Sequence, residues 1–139
     1  MRFLIITAAA LSLFATTSNA QDAARLTLNI ETGETTGTVN IAVFNNEPSY
    51  EGNAPVRVLR MDVAKGEHQA VIDGLSAGEY GIKVFHDVND NGRMDTNPFG
   101  MPVEPYGFSN NAVGNMGPAK WDRARFDVSG DTAHTINLR

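Results

Sequence analysis

The sequence predicts an antiparallel β-sandwich of about seven strands, followed through by one long ordered loop. Three observations predict it. Apolar and polar residues alternate through much of the chain after residue 24. The alternating runs are rich in Val, Ile and Thr. Gly, Asn, Asp and Ser gather between the runs. A period of two puts every second side chain on one face of a strand, and the polar clusters mark turns. No stretch carries a convincing helical period, and there is no internal repeat.

The strands follow in order. Leu26, Leu28 and Ile30 share a face, with Thr27 and Asn29 between them. This N-terminal strand, Arg25 to Thr32, is the expected sheet edge. A polar link, Glu31 to Gly37, leads to Val39, Ile41 and Val43. Val56 and Val58 begin a third strand, which Leu59 and Met61 make apolar on both faces. Ala70 and Ile72 mark a fourth, and Tyr80, Ile82 and Val84 a fifth. Leu75-Ser76-Ala77-Gly78-Glu79-Tyr80 reads as a corner whose tyrosine hydroxyl bonds back to upstream backbone; the plainer reading is a strand aromatic. Phe126 with Val128, and Ile136 with Leu138, end the chain. Ser129 to Thr132 is the turn expected to join these last two as a hairpin. A short helical turn is expected near Ala119 to Arg123.

Residues 1–20 read as a secretory signal peptide. Arg2 is followed by an apolar run from Phe3 to Ala15, and Ser18-Asn19-Ala20 ends in small residues suited to cleavage. Residues 21–139 then form a single domain, large enough to bury a core without staples. There is no cysteine, so no disulfide supports it. The whole chain has 11 basic and 16 acidic residues. That balance argues against nucleic acid and against anionic lipid. No second apolar stretch approaches the roughly 18 residues of a membrane span. The expected location is periplasmic or secreted.

His86-Asp87-Val88-Asn89-Asp90-Asn91-Gly92-Arg93-Met94-Asp95 is the most informative run. Counted as a calcium loop, Asp87, Asn89 and Asn91 take the first, third and fifth ligand positions. Gly92 takes the sharp turn, the Arg93 carbonyl the seventh position and Asp95 the ninth. The twelfth should be a bidentate glutamate, but it is Pro98. Other oxygens would come from Asp90, Glu104 or water. So few charges imply weak affinity, on the order of 10⁻⁴ to 10⁻³ M, useful only outside the cytoplasm. The competing reading is a tight polar loop of Asx-turns with no ion. Zinc is disfavoured, because His68, His86 and His134 are scattered and no thiolate exists. His86 is either a ligand or base beside Asp87, or a hydrogen-bonded histidine at the edge of the core.

From Thr96 to Lys120 prolines and glycines replace the strand pattern. Phe99, Tyr106 and Phe108 lie within the stretch and Trp121 follows it. The aromatics and low charge argue against disorder. Tyr106, Phe108 and Trp121 either fill the core or line a groove for a glycan, a peptide or a partner protein.

The run from Gly74 to Asn97, G-L-S-A-G-E-Y-G-I-K-V-F-H-D-V-N-D-N-G-R-M-D-T-N, and the segment from Gly100, G-M-P-V-E-P-Y-G-F-S-N-N-A, resemble one small exported bacterial family. It is known as domain of unknown function twenty-one forty-one. Leu75 to Val84 is also similar to carboxypeptidase-regulatory and transthyretin-like domains. These resemblances imply an immunoglobulin-like or prealbumin-like sandwich and no established activity.

The expected function is therefore an exported, non-enzymatic binding or interaction module, with calcium as its one candidate cofactor and an envelope protein or glycan as partner. Two alternatives stand. One is a carboxylate-dependent hydrolase of an envelope or extracellular glycan, using Asp87 and Glu104 with His86 assisting. The other is a structural accessory of the cell envelope that pairs through an edge strand.

Overall fold

The computed structural model describes residues 23–139. The predicted leader, residues 1–20, lies outside them. Among the described residues eight strands form two sheets, an all-β sandwich. In chain order they are β1 (Ala24–Glu31), β2 (Thr38–Phe44), β3 (Arg57–Asp62), β4 (Gln69–Leu75), β5 (Gly78–Asp87), β6 (Tyr106–Phe108), β7 (Phe126–Val128) and β8 (Asp131–Asn137). Two short helices, α1 (Glu47–Glu51) and α2 (Trp121–Ala124), sit in connections.

One sheet has the order β4-β1-β8. The other runs β3-β2-β5-β6, with β7 also paired to β5. The alternating residues do what their period demands. Leu26, Leu28, Ile30, Val39, Ile41, Val43, Ile82 and Ile136 are fully buried between the sheets. Register aligns them, with Ile41 opposite Val84 and Val43 opposite Ile82. Each such side chain contributes roughly 1.5–3 kcal/mol by leaving water.

Two topological expectations fail. β1 is not an edge: it lies between β4 and β8. It pairs with β8 in parallel, so the sheet is not purely antiparallel. An envelope accessory that pairs through β1 is excluded by that position. The last two strands are not a hairpin either. The Ser129–Thr132 turn is present, with the Thr132 hydroxyl donating to the Ser129 carbonyl at 3.2 Å. However, β7 bonds to β5 and β8 to β1, so this turn carries the chain from one sheet to the other. Turn chemistry is the same for both connections, and sequence alone does not separate them.

One side of the sandwich is stitched shut. Tyr106 and Arg139 exchange both backbone hydrogen bonds, at 3.0 and 2.9 Å. Gly107 permits this approach, since a Cβ there would stand 3.0 Å from side-chain carbons of Ile136 and Leu138. The expected corner also forms: the Tyr80 hydroxyl donates to the Ser76 carbonyl at 2.8 Å.

A second apolar cluster covers the outer face of the larger sheet. It contains Phe44, Tyr50, Phe108, Ala119, Trp121 and Ala124. Tyr50 meets Phe44 and Trp121 edge-on, with centroids at 5.2 and 5.6 Å. This arrangement suits the ring quadrupoles. The Tyr50 hydroxyl donates to the Ala119 carbonyl at 2.9 Å. Gly81 makes room, because a Cβ there would stand 2.8 Å from the Trp121 ring. Lys83 lies over the Tyr50 ring at 4.3 Å and donates to the Tyr50 carbonyl. Its partial burial pushes its pKa down. Helix α1 delivers Tyr50; Asn46 caps it by accepting from the Ser49 N–H at 2.8 Å.

Candidate functional site

The end of β5 sets the geometry of the acidic run. The strand alternates, so His86 points inward and Asp87 outward, yet both are fully buried. His86 Nε2 lies 2.6 Å from the Thr36 carbonyl, and Nδ1 lies 2.8 Å from the Thr32 hydroxyl. A carbonyl only accepts, so Nε2 carries a proton, and in the neutral ring Nδ1 then accepts from the Thr32 hydroxyl. Both ring nitrogens are thus used to hold the β1–β2 link. His86 is a hydrogen-bonded core histidine.

Asp87 accepts from two backbone N–H groups, Asn91 at 3.0 Å and Gly92 at 2.7 Å. Gly37 backs onto it: a Cβ there would collide with the Asp87 carbonyl. Buried Glu104 performs a matching task from the returning chain. Its carboxylate accepts from the N–H of Val88 at 3.0 Å and of Asp95 at 2.9 Å. The two carboxylates therefore clamp the loop at its start and its end. Sequence reasoning offered Glu104 as a supplementary ligand or as a catalytic partner of Asp87, and not as a clamp, because a partner sixteen residues away has no local signature.

The rim residues converge on Asp95. Its oxygens accept from the side-chain amides of Asn89 at 2.7 Å and Asn91 at 2.8 Å. Those donors, assisted by Arg93, hold the Asp95 carboxyl below the usual carboxylate range. Asn89 and Asn91 also form Asx-turns, accepting from the N–H of Asn91 and of Arg93. Asp90 and Gly92 take positive φ, 56° and 84°. Asp90 leaves the cluster and accepts from the Thr38 hydroxyl at 2.7 Å. Among the predicted ligands, Asn89, Asn91 and Asp95 are brought together by their side chains. Asp87 faces backbone donors, and Arg93 pairs with Asp95 at 3.7 Å. Among the described residues, no group of three or more His, Asp or Glu side chains is placed to hold a metal ion.

The long segment is ordered and returns across the fold. Asn97-Pro98-Phe99-Gly100 is a tight turn in which the Asn97 side chain accepts from the N–H of Phe99 and of Met101. It displays Phe99, which is 90% exposed. The three aromatics then separate. Trp121 and Phe108 are buried in the second cluster, so they read as core. Tyr106 is 38% exposed and stands edge-on to Phe108 at 6.0 Å.

Tyr106 and Phe108 form one wall of a cavity of about 60 Å³. Asn111, Val113, Asn137 and Arg139 line it as well, with Ala112 and three glycines between and beside them. Asn111 is riveted in place: its side-chain oxygen accepts from the Asn137 N–H at 2.8 Å. Asn110 and Asn111 both adopt positive φ, 60° and 50°, which asparagine tolerates. Taken locally, an Asn-Asn pair reads in the sequence as a turn. It gave no sign that Asn137 and Arg139 lie opposite, because that depends on the β6–β8 closure. A larger, open hollow of about 390 Å³ lies beside it, lined by Val113, Asn115, Lys120, Asp122 and Arg123. Neither adjoins the acidic loop.

No curated protein and no solved structure matches this chain. Residues 29–137 match the family described as "Uncharacterized protein conserved in bacteria (DUF2141)". The match runs from within β1 to the last residue of β8 and takes in the clamped loop and every residue of the cavity lining but Arg139, so the chain belongs to that bacterial family.

Proposed function

We propose that this chain is an exported, non-enzymatic binding module whose recognition end is the ordered segment from Thr96 to Lys120. The observation that carries this reading is the small cavity, in which the segment lays Tyr106 and Asn111 against β8. The leader pattern of residues 1–20 supports export, and its periplasmic or extracellular setting makes an envelope glycan or protein the partner class. A hydrolase built on Asp87 and Glu104 is not favoured. Every oxygen of both buried carboxylates already accepts a backbone N–H. His86 likewise has no free nitrogen.

Co-sedimentation with a washed bacterial envelope fraction tests the reading. The mature chain is expected in the pellet, and Tyr106→Ala in the supernatant. A mature chain that stays wholly in the supernatant overturns it.

A second reading concerns the loop. We propose that calcium binds weakly at Asn89, Asn91 and Asp95, with Asp87 and the Arg93 carbonyl contributing. Two amides and a carboxylate already share one point; to offer an ion their oxygens, the amides must turn over and release the N–H groups of Asn91 and Arg93, a cost that keeps the affinity low. Ten times a dissociation constant of about 10⁻³ M stabilises the fold by about 1.4 kcal/mol. The melting temperature is therefore expected to rise in about 10 mM calcium and to return with chelator. An unchanged melting temperature sinks this reading.

A further inference from the structure

The chemistry of the small cavity specifies its ligand more narrowly than a glycan. We propose that it takes the acetamido group of an N-acetylated amino sugar, an inference that rests on the binding-module reading above. The volume comes first. About 60 Å³ is too little for a sugar ring but suits a group of a few heavy atoms. The ring must then lie at the mouth, where the half-exposed Tyr106 offers a flat aromatic face to its C–H side.

The lining matches an amide that ends in a methyl group. Val113 and the Tyr106–Phe108 pair supply apolar contact for the methyl. Donors suited to the acetyl carbonyl are also present. Among the described residues, the Asn111 side-chain nitrogen and the Tyr106 hydroxyl donate to no protein group, while the Asn111 oxygen is engaged by Asn137. The Arg139 guanidinium has no carboxylate partner there and makes only a long, 3.5 Å contact to the Asn111 carbonyl. An unspent amide nitrogen, hydroxyl and guanidinium on the residues of a slot with mixed polar and apolar lining favour a neutral acceptor over a hydrocarbon. The acidic chain, with a formal charge of −5, disfavours a polyanionic glycan.

The test is an NMR titration of the mature chain with a fully N-acetylated glucosamine trimer. The comparators are the unacetylated trimer and a short acetyl-lysine peptide. Saturable shifts are expected at Tyr106, Asn111 to Gly117, Asn137 and Arg139, for the acetylated trimer alone. Tyr106→Ala is expected to weaken binding about tenfold. Arg139→Gln, at an exposed position, is expected to weaken it in the same direction and guards against a folding defect in the first variant. No shifts up to about 10 mM trimer, equal binding of the unacetylated trimer, or tighter binding of the peptide would each overturn the assignment. If the trimer fails while the chain still sediments with envelope, only this inference falls. If both fail, the module reading falls with it.

Discussion

Asp87→Ala is expected to lower the unfolding free energy by about 3 kcal/mol. The carboxylate is fully buried and receives the N–H groups of Asn91 and Gly92. Charge-assisted bonds of this kind are stronger than neutral ones, and alanine leaves two backbone donors without their acceptor. The freed loop also reaches β2 through the Thr38–Asp90 bond, and the segment leading into β6 through the Glu104 clamp. Asp87→Asn keeps one carbonyl acceptor, so roughly half the loss is expected. Urea unfolding of the three proteins measures this. A loss below about 1 kcal/mol for the alanine variant, at unchanged m-value, would show that the clamp does not hold the loop.

Trp121→Ala is expected to cost about 4 kcal/mol, in the range for truncating a buried large aromatic. Trp121 is only 7% exposed and packs on Tyr50 above Gly81. Its removal opens a void that the rigid sheet beneath cannot fill. The cost falls on the second cluster, leaving the core between the sheets intact. Retained strand signals in hydrogen exchange, with early exchange around α1 and α2, are therefore expected. A near-neutral variant would instead mean that Trp121 is available for a ligand, as the groove reading supposed.

The alternating runs were legible because period two follows directly from strand geometry. Leu26, Ile41, Ile82 and Ile136 all face the core as their spacing requires. The Tyr80 corner was legible for a similar reason, since its hydrogen bond spans four residues. What stayed hidden depends on which strands meet. Ser129 to Thr132 forms its turn locally, but nothing local says that it changes sheets. β6 is three residues long and lies among prolines and glycines, so it offers too little pattern to read. The five-residue α1 is hidden by the same brevity. In the acidic run, spacing located the loop and its turns correctly. Spacing did not show that Asp87 spends its oxygens on backbone, which depends on how far the chain curls back.

The parallel pairing of β1 with β8 carries a consequence for the order of assembly. Asn29 lies opposite Thr135, about 106 residues further along the polypeptide. The central strand of the smaller sheet must therefore wait for the last strand to be synthesised, and such distant pairing slows folding. A nascent chain lacking its final segment has only β4 to offer β1, and a lone pair of strands is barely stable in water. The smaller sheet is therefore expected to assemble only once β8 has emerged, whereas β2, β3 and β5 of the other sheet can pair sooner.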